Sequence, residues 1–342
     1  MATHGHSERK EQFAALVPIL ELFEDTKILK IVHAAQADQE CLFTAFGVFS
    51  RNTLDTAVAG SLCGLGDSPG LATLCKSLLG VTLQKGHART NWSARPLPPQ
   101  LIEYAHLDVH HLIEISNILL ERLDKLGRRQ WAFELSKKWE DPELYLPSIE
   151  SIASRIARNA KFDKKTYAAL IELVKWREAR VREVNVPRRW MADDQVLADI
   201  ARVKPKDVDH LSSFRGLNKG EIRQSGNQIL EALKRAEAAG GVDVPRSERS
   251  ESATEAEEQV VDLLKCYLGI LADTHEVALR HIVVSAQLLS IVRLDAKVPG
   301  DFVTDGVLSQ ESADLVGQEI IDFLAGRKAL SIDKGRVKVV VR

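Results

Sequence analysis

The 342-residue sequence predicts an α/β domain followed by all-α helical bundles. Three observations carry this. The apolar run from Ile28 to Ala34 follows a helical stripe of Phe13, Leu16, Val17, Leu20 and Phe23 and suits a buried strand, so that helix and strand open an α/β unit. After Asp163 every segment with a clear period is helical. The tract from Gly240 to Ser252, rich in Gly, Ser and charge, divides that helical part in two.

In chain order, Asp38 to Phe46 reads as a helix, Leu71 to Leu79 as another, and Pro99 to Leu126 as one long helix with an apolar face through Leu101, Leu112 and Leu123. Pro142 and Pro147 interrupt the pattern and mark a softer boundary. Stripes at Leu170/Leu173/Val174, Val196/Leu197/Ile200, Leu211/Phe214/Leu217 and Ile229/Leu230/Leu233 give four or five helices over 163–239, a small bundle. Near the C-terminus Asp333-Lys334-Gly335 between short apolar runs predicts a hairpin turn. The expected domains are 1–130, 163–239 and 255–342.

Composition narrows the function classes. At 45% hydrophobic and 27% charged residues the chain is expected to fold rather than remain disordered. Its net charge of -2 argues against a uniformly basic nucleic-acid coat, but the charge is uneven. Residues 161–240 hold 17 basic and 12 acidic side chains, a surplus that suits either a meeting with polyanions or a solvated helix surface. Cys41, Cys63, Cys75 and Cys266 form no C-x-x-C pair, and no secretory signal opens the chain, so a reduced, cytoplasmic protein is expected. The apolar stretch Ile282 to Val292 is interrupted by Ser285, Gln287 and Ser290 and reads as a core helix, with no membrane partner. No G-x-x-x-x-G-K-[ST] loop is present, so no nucleotide cofactor is expected.

Tyr104 and Asp108 lie four apart on a helix and project from one face. A carboxylate one turn from a phenol suits a metal-dependent phosphodiester hydrolase: the acid holds a divalent cation, and the hydroxyl meets the attacking water or the scissile phosphate. Alone, the pair is also what a surface Asp beside a half-buried Tyr looks like. His106 and His110 have the i,i+4 geometry of two zinc ligands, but no third ligand sits at a sensible spacing. His111 shares the face of Tyr104 and Asp108, with substrate contact or packing as its alternatives. His33 reads either as a hydrogen-bonded core histidine or as part of an active-site rim.

Six ordered motifs change the weight of that pair. They are Lys30-Ile-Val-His33-Ala34-Ala-Gln-Ala-Asp38, Leu54-Asp55-Thr56, Leu78-Leu-Gly80-Val81, Arg89-Thr90-Asn91-Trp92, Arg95-Pro96-Leu97, and Tyr104-Ala105 with Asp108-Val109. Together the run from Ile28 to Asp124 resembles the exonuclease domain of the ribonuclease D family, within the DEDD group of 3′-to-5′ exonucleases. The resemblance implies a ribonuclease H-like fold. It makes Asp38 the second-motif aspartate and Tyr104 with Asp108 the third motif of the tyrosine branch, Asp38 and Asp108 being metal ligands. It also implies two divalent cations, Mg2+ or Mn2+. Arg89 is a separate candidate for contact with RNA. The family's first motif, Asp-x-Glu, has no counterpart. Residues 1–37 contain Glu8, Glu11, Glu21, Glu24 and Asp25 but no such pair, and Asp38-x-Glu40 already belongs to the second motif. The expectation is a nuclease domain lacking its first strands, with a site short of carboxylates.

Trp176-Arg177-Glu178, Asn185-Val186-Pro187-Arg188, Asp194 with Leu197 and Ile200, and Phe214-Arg215-Gly216-Leu217 resemble the HRDC domain shared by helicases and ribonuclease D. Pro187 separates two helices and Gly216 supplies a turn. Arg188, Arg189, Arg215, Lys219 and Arg223 are the candidates for phosphate contact, whereas Arg177 and Arg180 are expected to pair with Glu172 and Glu183. By the same resemblance residues 255–342, read from the sequence as small, mostly helical and acidic, are expected to be a degenerate second HRDC-like domain. The reading as a whole is a monomeric 3′–5′ exoribonuclease acting on RNA with a free 3′ end, such as tRNA precursors. The alternative is a catalytically inactive RNA-binding remnant.

Overall fold

The structure is a computed structural model that describes residues 14–83, 90–92, 94–158, 162–217, 219–245 and 253–342. It divides into two compact units, one formed by 1–141 with 252–342 and the other by 142–251. The boundaries fall beside Pro142 and inside the Gly240 to Ser252 tract, where composition interrupts both helical patterns.

In the first unit helix α1 (Val17–Glu24) leads into strand β1 (Lys30–Val32), helix α2 (Gln36–Phe46), strand β2 (Thr53–Asp55) and helix α3 (Thr56–Ser61). The two strands pair in parallel, Ile31 opposite Leu54, as a β-α-β crossover requires. Helix α4 (Leu71–Leu74) passes into a π turn over Cys75–Leu79 that ends at Gly80 in the left-handed region. The single long helix expected over Pro99 to Leu126 is two: α5 (Pro99–His110) and α6 (Leu112–Lys125) meet at His111, the cap residue between them, at φ -95° and ψ -1°. The break lets α6 bury Leu112, Ile115, Leu119 and Leu123 while α5 turns Asp108 toward a cavity. Helix α7 (Arg129–Lys137) packs beside β2, where Ser136 donates to Ala132 O and accepts the Asp55 N–H.

The second unit holds α8 (Ile149–Arg158), α9 (Lys164–Val184), α10 (Arg188–Met191), α11 (Asp194–Val203), α12 (Val208–Leu211) and α13 (Lys219–Ala239). Two of these, α9 and α13, run 21 residues. Their core is one cluster from Ile152 through Tyr167, Leu173, Leu197 and Ile229 to Ala236. Asn185 ends α9 in the left-handed region and Pro187 precedes α10. Gly216, at φ +91°, lies where an added Cβ would come within 2.9 Å of Val196 Cγ2, so only glycine fits both the turn and the contact.

The last segment contains α14 (Glu255–Thr274), α15 (Leu279–Ile282), α16 (Ser285–Arg293), α17 (Pro299–Thr304) and α18 (Gln310–Leu324), then the hairpin β3 (Lys328–Asp333) and β4 (Arg336–Val341). Lys334 and Gly335 both have positive φ, the geometry a two-residue hairpin turn demands. Residues 255–342 were expected to stand as a domain of their own. Instead Leu264, Tyr267, Leu268, Phe302, Val316 and Ile320 join Leu54, Leu62, Ile115, Leu119 and Trp131 in one core. Arg128, 7% exposed, binds them together, donating to Leu62 O at 2.7 Å, Glu276 O at 3.2 Å and His275 O at 2.6 Å. Helical periodicity reports that a face is apolar and says nothing of which surface covers it.

Candidate active site

Asp55, the last residue of β2, organises the site. Its side chain is buried, and Oδ1 accepts the Ala34 and Ala57 N–H groups while Oδ2 accepts the Ala35 N–H, all at 2.9 Å. The Ala57 bond makes Asp55 the N-cap of α3, and the Ala34 and Ala35 bonds fix the turn that leads into α2. It also stabilises the turn at Ala34, which has φ +58° without being glycine. Asp38 follows in the first turn of α2, where the helix dipole favours a negative charge.

Asp38 and Asp108, from α2 and α5, line one cavity of about 690 Å³ with His33, against Phe23, Ile31, Leu42 and Leu112. Partial burial and the negative charge of Asp55 raise the Asp38 carboxyl above its ordinary pKa. Burial raises Asp108 as well, opposed by His33. Burial holds His33 below the usual imidazole value, against the pull of Asp55 and Asp108. Thr56 Oγ1 donates its single hydrogen to Val32 O at 3.0 Å, so at 2.9 Å His33 Nδ1–H is the donor and Thr56 Oγ1 the acceptor. This tautomer leaves Nε2 of the neutral ring as an acceptor. The ring is half-buried and hydrogen-bonded, and it lines the cavity.

Tyr104 lies one turn before Asp108, half-buried, its ring tilted against Trp92 at 6.1 Å between centroids. The rings of His106 and His110 are 5.0 Å apart. Arg89 lies outside the described residues. Asp38 and Asp108 supply hard oxygen donors, and Mg2+ is commonly held by one or two carboxylates with water and phosphate. Among the described residues no group of three or more His, Cys, Asp or Glu side chains gathers as a metal site. The described donors therefore fit one divalent cation and fall short of two.

In the second unit Glu178, 4% exposed, accepts from Arg177 at 3.2 Å and from Arg188 at 2.8 Å, and Arg177 also reaches Asp194 at 2.7 Å. Arg177 is 1% exposed, a buried strut rather than part of a solvated face. Arg180 pairs with Glu183 at 2.9 Å and Glu221 at 2.8 Å, while Glu172 takes Lys175 and Arg235 instead. Arg188 is thus engaged with Glu178. Arg189 is exposed, 3.8 Å from Asp193, and Arg215 and Arg223 are exposed. The side chain of Lys219 lies outside the described residues. Sequence reasoning passed over two residues here. Asp55 carried its own signal, an Asp between a strand and a helix start. Trp190, 71% exposed beside Arg189, had none, because exposure is not written in local pattern.

A family model for a 3′-5′ exonuclease matches residues 4–124, and one for the HRDC domain matches 168–233. Among curated proteins, Ribonuclease D of Gluconacetobacter diazotrophicus is 33% identical over 94% of this chain and 81% of its own length. Ribonuclease D of Granulibacter bethesdensis is 31% identical over 95% of this chain and 81% of its own length. Among solved structures, Escherichia coli RNase D, described as an exoribonuclease involved in structured RNA processing, shares the fold with a TM-score of 0.73 at 22% identity. The match covers 91% of this chain and 83% of that one.

Proposed function

The chain belongs to the ribonuclease D family of 3′–5′ exoribonucleases, and on that premise we propose that it trims the 3′ ends of structured RNA such as tRNA precursors, acting as a cytoplasmic monomer. The observation that carries the reading is that Asp38 and Asp108, brought from two helices, line one cavity inside the segment matching the exonuclease model. The chain has the N-terminal nuclease part at 1–130 and the HRDC part at 163–239; residues 255–342 serve as a brace for the nuclease core.

The residues divide the work as follows. Asp38 and Asp108 hold a hard divalent cation, Mg2+ or Mn2+. When bound, the cation supplies Lewis-acid stabilisation of charge on the scissile phosphate. Tyr104 donates its hydroxyl hydrogen bond to the phosphate or orients the attacking water, and its contact with Trp92 limits where that hydroxyl can point. His33 and the apolar wall of Phe23, Ile31 and Leu42 limit water around the reacting end. Arg189, Arg215 and Arg223, with Lys219 and Arg89, meet RNA phosphates.

The test is a 5′-labelled RNA with a single-stranded 3′ tail, incubated with the purified chain in Mg2+ or Mn2+ and in chelator. Stepwise shortening from the 3′ end is expected only with the cation. Asp38→Asn and Asp108→Asn should each slow it by more than about 10²-fold while the melting curve is kept, since charge is lost at constant shape. No shortening by the parent chain at any cation concentration would sink the reading. The shortfall of carboxylates supports a second one, an RNA-binding chain without hydrolysis, which that outcome would favour.

A further inference from the structure

The second unit contains a cavity of about 690 Å³ away from its arginine-bearing loops, between the start of α9 and the ends of α11 and α13. Its apolar lining is Ala169, Val203, Leu230 and Leu233, and four lysines surround it: Lys165, Lys204, Lys206 and Lys234. Glu237 is the one acid among the lining residues, and Asp163, whose carboxylate accepts the Thr166 N–H, exerts a pull on Lys204. The four lysines are exposed. Four cations around one cleft make a local field that favours a polyanion.

The backbone adds an independent observation. Lys204 ends α11 at φ +51° and ψ +65°, and its N–H donates to Ile200 O at 2.8 Å. Glycine is the residue that suits this left-handed cap, and a lysine there is strained. Pro205 follows at once and fixes the direction in which Lys206 leaves. The left-handed cap at Lys204 and the proline after it thus fix where two cations stand on the rim of the cleft.

We propose that this lysine-rimmed cleft is a second RNA contact, in which phosphates of a single strand lie against Lys165, Lys204, Lys206 and Lys234 and a base rests on Val203 and Leu230. The proposal rests on the reading of the chain as an RNA-processing enzyme only for the identity of the polyanion. Among the described lining residues there is no aromatic ring, so the contact is made by charge and tolerates any base sequence.

The test uses the full chain, in chelator so that no hydrolysis intervenes, and a fluorescein-labelled oligouridylate of about ten nucleotides. Replacing the four lysines with alanine should weaken binding more than about tenfold and lower the slope of log affinity against log salt by about 2 or more. Lys204→Gly alone should weaken binding several-fold without loss of thermal stability, because it removes the cation and the strain together. A loss of affinity confined to the Arg189→Ala, Arg223→Ala pair, with the four-lysine variant unchanged, would overturn the proposal. So would displacement of the RNA by polyglutamate at matched charge as readily as by unlabelled RNA, which would assign the cleft to acidic peptides. Failure of the chain to shorten RNA leaves this binding measurement intact, so the two readings fail separately.

Discussion

The Asp55 carboxylate accepts the Ala35 N–H at 2.9 Å, joining the end of β2 to the first turn of the helix that carries Asp38. The placement of Asp38 rests on this bond, although Asp55 is buried and does not line the cavity. Asp55→Asn keeps the size but places an amide where Oδ2 stood or where Oδ1 stood. One placement sets an N–H against Ala35 N–H; the other sets it against Ala34 and Ala57. Expected is a loss of about 2 kcal/mol, seen as a lower urea midpoint, with exonuclease activity falling further than the folded fraction does. A variant as stable and active as the parent would remove Asp55 from its organising role.

Tyr104→Phe removes a hydroxyl and keeps the ring on Trp92. The expected result is a kcat lower by about 10²-fold, with RNA affinity and melting temperature close to the parent's. A matching fall in affinity would instead place the hydroxyl in ground-state binding.

Gly64 touches the C-terminal segment. At φ +74°, an added Cβ would lie 2.8 Å from Glu276 Cβ, so Gly64→Ala combines left-handed strain with a clash across the shared core. Destabilisation of about 2–4 kcal/mol is expected, read by thermal unfolding. An unchanged midpoint would mean that 255–342 does not sit against this loop.

His281 makes the same joint sensitive to acid. Ser61 Oγ donates to Val58 O at 2.8 Å, so His281 Nε2–H donates to Ser61 Oγ at 2.7 Å. Burial first, then Arg280 and Lys138, push its pKa down to about 4. The unfolded chain binds a proton near pH 6.5 and the folded chain resists it. The stability tied to this ring is therefore complete above about pH 6.5 and is lost as pH falls toward 4, at most about 3 kcal/mol. Urea melts at pH 7 and 4.5 should show a larger drop for the parent than for His281→Gln, by about 2 kcal/mol. Equal drops would mean that the ring titrates normally.

Much of this was legible from pattern. Asp38, Tyr104 and Asp108 stand in motifs whose order survives in any alignment-free reading, and the helical stripes of 163–239 have the 3.6-residue period that one buried face imposes. The turn at Lys334-Gly335 is chemistry of two residues. What escaped was non-local. Arg177 has the letters of a solvated cation, and only the approach of Asp194 and Glu178 makes it a buried strut. The break at His111 has no Pro or Gly to announce it.

The sequence by itself determined the elements, their order and the chemical types available at the site, because backbone preference and hydrophobic period act over a few residues. The tertiary structure alone decided that Asp38 and Asp108 share a cavity, that Asp55 holds their scaffold, and that residues 255–342 complete the nuclease core. Those are choices among apolar faces and charged partners distant in the chain, and they are settled by the packing that buries the most surface while leaving the fewest polar groups unpaired.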